Sequence, residues 1–382
     1  MGARLDASRL TISLTDSPRT IPIISSASTK DHTDHILTVS WTAKDGWSSP
    51  HIAPYNNLSL PPTANVLHYA TACFEGMKLY RGFDGKLRLF RPLENCRRLL
   101  DSATRISLPD FEPEELRKLI SELCRVDGPR WLSKDTSRGS CLYIRPTMIG
   151  IDADLGFRVP QEALLYVILT YWTTPSATGS LKLLANTQQW VRAWPGGSGN
   201  TKLAANYGPA LIAHGEAKRR GFDQVLWLFG PEGYVTEAGS SNLFVLWKGD
   251  SAGIELVTPS LDSGLILPGI TRRSVLELAR ERFSETKEWG SNGKVLLAGR
   301  VDVVEMDFTI GDIIQAADEG RLLGAFAVGT AAFVNPVSRI DTHGRSIRID
   351  VDAVPYAALL HAWLNNIMYG VEKSVWTQMV EE

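Results

Sequence analysis

Residues 173–180 read Thr-Thr-Pro-Ser-Ala-Thr-Gly-Ser, a run of small and turn-forming residues between two apolar strand patterns. Such a stretch suits neither a packed helix nor a central strand, so it marks a division of the chain. The expected plan is an N-terminal arm over 1–34, a smaller α/β domain over 35–172, the linker 173–180 and a larger domain over 181–382. A chain of 382 residues has room for roughly two domains of ~150–200 residues each.

Within these limits the local patterns alternate. Asp84-Gly85 separates two alternating runs, Met77–Arg81 and Lys86–Phe90, and predicts a hairpin. Pro92 opens a helix with Leu93, Cys96, Leu100 and Ala103 on one face, and a second helix fits Pro113–Cys124. Strands are expected at Ile36–Trp41, Ser140–Met148, Ala163–Thr170, Leu181–Leu184, Gln224–Phe229, Val235–Glu237 and Asn242–Trp247. Two more, Gly324–Ala327 and Phe333–Arg339, flank a turn at Gly329–Ala332. Helices fit Pro209–Arg220, the stretch from Pro268-Gly269 to about Phe283, and Val354–Met368. Residues 1–60 otherwise read as an irregular polar arm. Strands and helices mix without a βαβ rhythm, which predicts an α+β fold rather than a Rossmann sheet.

Composition removes several functional classes. With 40 Lys and Arg against 42 Asp and Glu, the formal charge is −2, which leaves no electrostatic footprint for nucleic acid. No apolar run approaches the ~18 residues of a membrane span, so no membrane partner is expected. Four cysteines without a C-x-x-C pair predict neither a disulfide framework nor a cysteine-rich zinc site, and there is no H-E-x-x-H. No metal is expected. The N-terminus lacks an apolar signal core, and Asp6 stands where a myristoylation motif needs Ser or Thr. Arg4, Arg9 and Arg19 among serines and threonines resemble a mitochondrial presequence, but Asp6 and Asp16 do not suit one. Cytoplasm is the expected compartment, with mitochondria as the alternative.

The segment Gly196-Gly-Ser-Gly-Asn-Thr-Lys202 invites comparison with a phosphate-binding P-loop. It fails, because Lys202 follows Thr201 and precedes Leu203, where a P-loop needs Gly and then Ser or Thr. A lysine leaving a glycine-rich turn into Leu203-Ala-Ala205 has another use. Partial burial lowers an ammonium's pKa and frees the amine to form a Schiff base with a carbonyl. Most lysines beside glycines are merely solvated, so this segment alone leaves both readings open.

Several segments together narrow the choice. Gly199-Asn-Thr-Lys202-Leu-Ala-Ala-Asn-Tyr207-Gly-Pro209 precedes Val235-Thr-Glu237-Ala-Gly-Ser-Ser-Asn242-Leu-Phe244. Upstream lie His68-Tyr69, Cys73-Phe-Glu-Gly-Met-Lys78, Leu89-Phe-Arg-Pro92 with Arg98, and Tyr143-Ile-Arg145-Pro146. Downstream lie Leu267-Pro-Gly-Ile270-Thr271-Arg272 and Gly329-Thr330-Ala331-Ala332. In this order, over about residues 35–370, they strongly resemble the branched-chain amino acid aminotransferases. Those are pyridoxal-phosphate enzymes with the two-domain, α+β, D-amino-acid-aminotransferase-like architecture, also called fold type IV.

The resemblance implies roles position by position. Lys202 would hold pyridoxal 5'-phosphate as a Schiff base and carry the proton between substrate and cofactor. Glu237 would keep the cofactor ring protonated, and Tyr207 would hydrogen-bond its phenolic oxygen. Arg98 would meet the phosphate, with Arg97 as the neighbour that should not matter, aided by Ile270 and Thr271 at a helix start and by the Thr330 hydroxyl. The Ala331 and Ala332 amides would hold the substrate α-carboxylate. Phe74, Tyr143 and Tyr171 would form apolar walls, while Arg145 and the Tyr143 hydroxyl would receive glutamate's second carboxylate. Tyr69 and Leu155 match positions supplied by a partner subunit, which implies a homodimer. The implied reaction is ping-pong transamination of leucine, isoleucine or valine with 2-oxoglutarate, with the cofactor between the two domains.

There are departures and competitors. Where some members carry C-x-x-C, this chain has Ala332-Phe-Val-Asn335, so no thiol switch is expected there. Phe157 and Trp172 would narrow or shift the side-chain preference. A D-amino-acid transaminase or an aminodeoxychorismate lyase would also keep Lys202 and Glu237, but neither fits the Tyr143–Pro146 run. A non-catalytic cofactor-binding protein would not need Lys202, Glu237 and Arg98 together.

Overall fold

Gly85 adopts φ +75°, a conformation that costs glycine little, and the turn it makes joins Met77–Arg81 to Leu87–Phe90 in antiparallel register. The computed structural model describes residues 2–22, 31–134, 140–173, 179–185, 189–249, 253–291, 294–331, 333–342 and 344–382. The chain divides into two compact units. One comprises residues 1–174, 201–205 and 366–382, and the other residues 175–200 and 206–365. Most of the expected linker, residues 174–178, lies outside the described residues.

The first unit is built on a ten-stranded sheet among the described residues. Eight strands run in the order Thr11–Ile12, His51–Pro54, His32–Thr42, Glu162–Thr173, Ser140–Gly150, Met77–Arg81, Leu87–Phe90, Thr377–Val380, while Gly46–Trp47 pairs with His32–Thr42 and Ala72–Phe74 with Ser140–Gly150. The central ladder pairs Ser140–Gly150 with Glu162–Thr173 without a break, from Ser140↔Thr173 to Gly150↔Ala163. Leu142, Ile144, Pro146 and Met148 are buried, while Tyr143, Arg145 and Thr147 are half-buried. This alternation sends one face of the strand to the core and leaves Tyr143 and Arg145 together on the other.

Against the core face pack two helices, Pro92–Arg105 and Pro113–Trp131. The first buries Cys96, Leu99 and Ala103, with Leu100 only half-buried, so the apolar stripe is rotated slightly from the sequence expectation. The second runs seven residues past Cys124, through Pro129. Packing holds it there: Leu123, Cys124, Asp127 and Trp131 are buried, and Asp127 binds the imidazole Nδ1 of His35 at 2.6 Å. Tertiary contacts thus override a helix breaker.

The arm is not an irregular appendage over its described part, residues 2–22. Leu5 is buried, Thr11–Ile12 pairs in parallel with His51–Ile52, and the Ala7 N–H donates to Glu115 at 2.7 Å. The Thr15 N–H donates to Nε2 of His35 at 3.0 Å.

The second unit contains a nine-stranded sheet among the described residues. Eight strands run in the order Tyr234–Ala238, Gln224–Phe229, Leu181–Ala185, Phe333–Thr342, Leu322–Gly329, Ser241–Lys248, Ile254–Thr258, Val301–Glu305, and Arg345–Arg348 pairs with Phe333–Thr342. Tyr234–Ala238 also pairs with Ser241–Lys248, setting Glu237 opposite Asn242. Helices Leu211–Arg219, Ile270–Arg282, Ile310–Asp318 and Tyr356–Met368 belong to this unit, the last of them as far as Asn365.

Two segments expected in the larger domain group with the first unit. Leu203 bridges Cys73, and Thr377–Val380 pairs with Leu87–Phe90. These pairings bind Thr201–Ala205 and the C-terminal strand to the first sheet.

Candidate active site

Lys202 is fixed by its backbone before its side chain is considered. Its N–H donates to the Ser102 hydroxyl at 2.9 Å, and its carbonyl accepts the Phe74 N–H at 3.1 Å. Its ammonium Nζ lies 5.2 Å from the centroid of the Phe74 ring. The Arg145 guanidinium carbon lies 4.7 Å from the same centroid and 5.2 Å from that of Tyr143. Phe74 pairs with Thr147, so by strand parity Phe74, Tyr143 and Arg145 share one face of the sheet. The close approach explains Gly76, since a Cβ there would come within 1.9 Å of the Tyr143 hydroxyl oxygen. Among the described residues, the buried Nε of Arg145 has no hydrogen-bond partner. An orphaned donor costs about 1–3 kcal/mol, and an anionic ligand would recover it.

Tyr171 requires a correction. It pairs with Leu142 and is 1% exposed, in contact with the Trp131 ring, so its side chain enters the core on the face opposite Tyr143 and Arg145. It is a core residue and does not line the face that carries Phe74.

Arg98 is buried, whereas Arg97 is exposed. Its Nε and an Nη donate to the two Glu75 oxygens at 2.6 and 2.9 Å, and the Asn95 amide adds a bond to Glu75 at 2.8 Å. Full burial pushes the Glu75 carboxyl up. The Arg98 charge and hydrogen bonds, the Lys202 charge and the Asn95 bond outweigh that and hold it below its ordinary value. The two basic residues expected to serve the cofactor therefore sit around one buried anion.

A separate exposed group forms where helix Val66–Tyr69 meets the loop beyond Gly150. The Tyr69 hydroxyl donates to the Leu155 carbonyl, and the Phe157 ring meets that of Tyr69 edge-on at 5.6 Å. Phe157 is 90% exposed, and Leu67, Leu155 and Val159 are exposed too.

In the second unit Glu237 is buried. One carboxylate oxygen pairs with Arg192 at 2.6 Å, and the other accepts the Leu267 N–H at 2.9 Å. The Asn242 amide donates to the Leu267 carbonyl at 2.9 Å, tying the strand to the turn ahead of helix Ile270–Arg282. That turn needs Gly269, because a Cβ would fall 2.0 Å from the Asn242 side-chain oxygen. The helix has no side-chain cap, so the Ile270 and Thr271 N–H groups open a helix start suited to an anion. Tyr207 and Thr330 are half-buried, and Ala331 is exposed. Ala332 lies outside the described residues.

Sequence reasoning missed Arg192, the partner of Glu237, and Glu75, the partner of Arg98. Glu75 was visible as a lone acid inside an apolar strand pattern. Arg192, among Trp190, Val191, Ala193 and Trp194, gave the corresponding signal for a buried cation.

Known proteins of similar sequence and structure identify the family. The profile of the amino-transferase class IV family matches residues 72–340. The cytosolic branched-chain-amino-acid aminotransferase of Saccharomyces cerevisiae is 43% identical over 388 residues, covering 100% of this chain and 99% of the relative. The mitochondrial one from the same organism is 42% identical over 389 residues, covering 100% and 95%. Among solved structures, the branched-chain amino acid aminotransferase of Thermobaculum terrenum in its PLP-bound holo-form shares the fold. It aligns with a TM-score of 0.69 at 24% identity, covering 92% of this chain and 100% of that one. The chain belongs to the class IV aminotransferases, among the branched-chain-amino-acid aminotransferases.

Proposed function

We infer that this chain transfers amino groups between branched-chain L-amino acids and 2-oxoglutarate, using pyridoxal phosphate. The observation that carries this reading is the single aromatic ring of Phe74, with the Lys202 amine at 5.2 Å and the Arg145 guanidinium at 4.7 Å. An aliphatic side chain can pack on such a ring. A glutamate-type carboxylate can instead reach Arg145, whose buried Nε lacks a partner.

The residues present fit the cofactor. Lys202 would hold its aldehyde carbon, Glu237 its ring nitrogen and Tyr207 its phenolic oxygen. Arg98 with the Ile270 and Thr271 amides and the Thr330 hydroxyl would hold its phosphate. When bound, pyridoxal phosphate supplies an exchangeable carbonyl and a ring that delocalises the electron pair left at the substrate Cα. The chain's own part is to bind, orient and move protons. Lys202 carries the Cα proton, and Glu237, itself oriented by Arg192 and the Leu267 N–H, keeps a proton on the ring nitrogen. Glu75 accepts hydrogen bonds from Arg98 Nε and one Nη and so orients the guanidinium. Ala331 and Ala332 would receive the α-carboxylate through their amides.

We further assign Tyr69, Leu155 and the adjoining Phe157 to a homodimer interface, supported by their exposure where the end of helix Val66–Tyr69 meets the loop beyond Gly150. Cytoplasm is the assigned compartment, supported by Asp6 and Asp16 in the arm; the relatives include both cytosolic and mitochondrial forms. The smaller and larger domains of the proposed division carry Arg98 and Glu237 respectively. The test of the mechanism is Lys202→Ala, expected to lose both covalent retention of the cofactor and amino transfer. Normal turnover in that variant refutes the assignment.

A further inference from the structure

A lysine is buried in the first sheet at a place where an apolar residue would pack without penalty. Lys78, within strand Met77–Arg81, is 2% exposed. It stands directly opposite Tyr143, as Tyr80 stands opposite Cys141. Opposed side chains share a face, so Lys78 belongs to the face that carries Phe74, Tyr143 and Arg145. The Cβ atoms of such a pair are about 4.5–5.5 Å apart, within reach of a lysine stem.

Burial pushes the Lys78 ammonium below its ordinary pKa, and the Cys141 thiol offsets this only in part. Glu75 is the opposite case, because its partners outweigh its burial. The surroundings of Lys78 therefore hold its charge less well than water does. On its own strand the group facing it is Tyr80, whose phenol burial raises well above its ordinary value. Beyond Tyr80 lie the Tyr369 ring at 5.2 Å and Arg88, which is paired with Asp84. From strand Ser140–Gly150 come Cys141, Tyr143 and Arg145, and Lys202 reaches the same face over Phe74. A buried lysine kept at such a cost, beside residues that line a site, is explained by a ligand that repays it.

We propose that Lys78 is a specificity-determining residue: the titrating cation that meets the second carboxylate of glutamate or 2-oxoglutarate, beside the fixed charge of Arg145 and the Tyr143 hydroxyl. This rests on the transaminase reading above and deepens it. An aliphatic side chain on the Phe74 ring gains nothing from a second cation, and the amine can give up its proton. A second carboxylate favours the ammonium, so the dicarboxylate binds with uptake of a proton from water onto Nζ. Binding thus raises the affinity of Lys78 for its proton. Preference for the dicarboxylate is full at low pH and falls as pH rises through the pKa of Lys78 in the free enzyme.

The test compares two ligands of one shape on the holoenzyme. Glutarate carries a carboxylate where 4-methylvalerate carries an isopropyl group, so their affinity ratio isolates the second carboxylate from the titration of the cofactor. By calorimetry, the ratio in the parent should fall at least about threefold between about pH 7 and about pH 10. Lys78→Arg, charged throughout, should keep the preference for glutarate with no fall. Lys78→Met should lose about ten- to a hundred-fold of it at about pH 7, the worth of one hydrogen bond to a charged group, and show no fall either. Should neither variant fold, buffers of different ionisation enthalpy decide. At about pH 9, glutarate binding should take up more protons than 4-methylvalerate binding, in the parent and in Tyr143→Phe and Cys141→Ser alike. A flat ratio or equal proton uptake in the parent, an unchanged preference in Lys78→Met, a fall that persists in Lys78→Arg, or an excess uptake lost in Tyr143→Phe or Cys141→Ser overturns the proposal. A parent holoenzyme that forms no glutamate from 2-oxoglutarate and leucine overturns the reading beneath it instead.

Discussion

Removing the Arg98 guanidinium exposes the energetics of the buried anion in the first unit. Glu75 is fully buried and takes two charged hydrogen bonds from Arg98, at 2.6 and 2.9 Å. Arg98→Met keeps the stem and deletes the charge. Breaking a buried pair from one side costs about 3–5 kcal/mol. For a folding unit of this size, about 2–4 °C is lost per kcal/mol, so the cofactor-free protein should melt about 6–20 °C lower near neutral pH. The pH dependence gives a sharper test. In the parent chain the Glu75 pKa is held below its ordinary value, so its contribution is full above about 4.5 and is lost as pH falls through the lower folded value. In the variant, burial dominates and the folded pKa rises above the unfolded one. The penalty is then full at high pH and fades as the carboxyl protonates. The melting gap should thus be widest near pH 8 and narrow towards pH 5. Adding Glu75→Leu to Arg98→Met should restore most of the loss. A gap that ignores pH, or a double variant as unstable as the summed singles, refutes the reasoning.

Two other outcomes follow from the site. Arg145→Ala should raise KM for 2-oxoglutarate by about ten- to a hundred-fold, with a much smaller effect on leucine, because only the second carboxylate needs the orphaned Nε; equal losses in steady-state kinetics contradict the assignment. Phe157→Ser should weaken self-association, with the dimer dissociating at a concentration at least about tenfold higher by light scattering. An active parent monomer contradicts the interface altogether.

The parts of the site legible in the sequence were those set by neighbours along the chain. The Gly-rich approach to Lys202, the Pro268-Gly269 turn before Ile270, and the Asp84-Gly85 hairpin all depend on local conformation, which residue type reveals. Tyr171 shows the limit. Its strand is apolar at nearly every position, so the pattern does not say which of two faces Tyr171 joins; only the register with Leu142 does. Arg192 and Glu75 stayed hidden because each matters through a partner, 45 and 23 positions away for the pairs Arg192–Glu237 and Glu75–Arg98. The helix expected over Pro113–Cys124 runs on through Pro129 where Asp127 and Trp131 are buried, and the arm's polar composition concealed an edge strand and the buried Leu5. Thr201–Ala205 joins the first unit through the bridge from Leu203 to Cys73 and the Lys202 backbone bonds to Ser102 and Phe74, long-range contacts that no spacing announces.

Amino exchange between branched-chain L-amino acids and 2-oxoglutarate, on a site organised around Lys202, Phe74 and Arg145, is tested most directly by a donor panel. L-leucine, L-isoleucine, L-valine, D-leucine and L-alanine are each supplied at saturating 2-oxoglutarate, and the glutamate formed is read. Turnover of the three branched L-donors should stand well above that of alanine, with none from D-leucine. A preference for the D-enantiomer, or glutamate formed equally from every L-donor, would contradict the assignment.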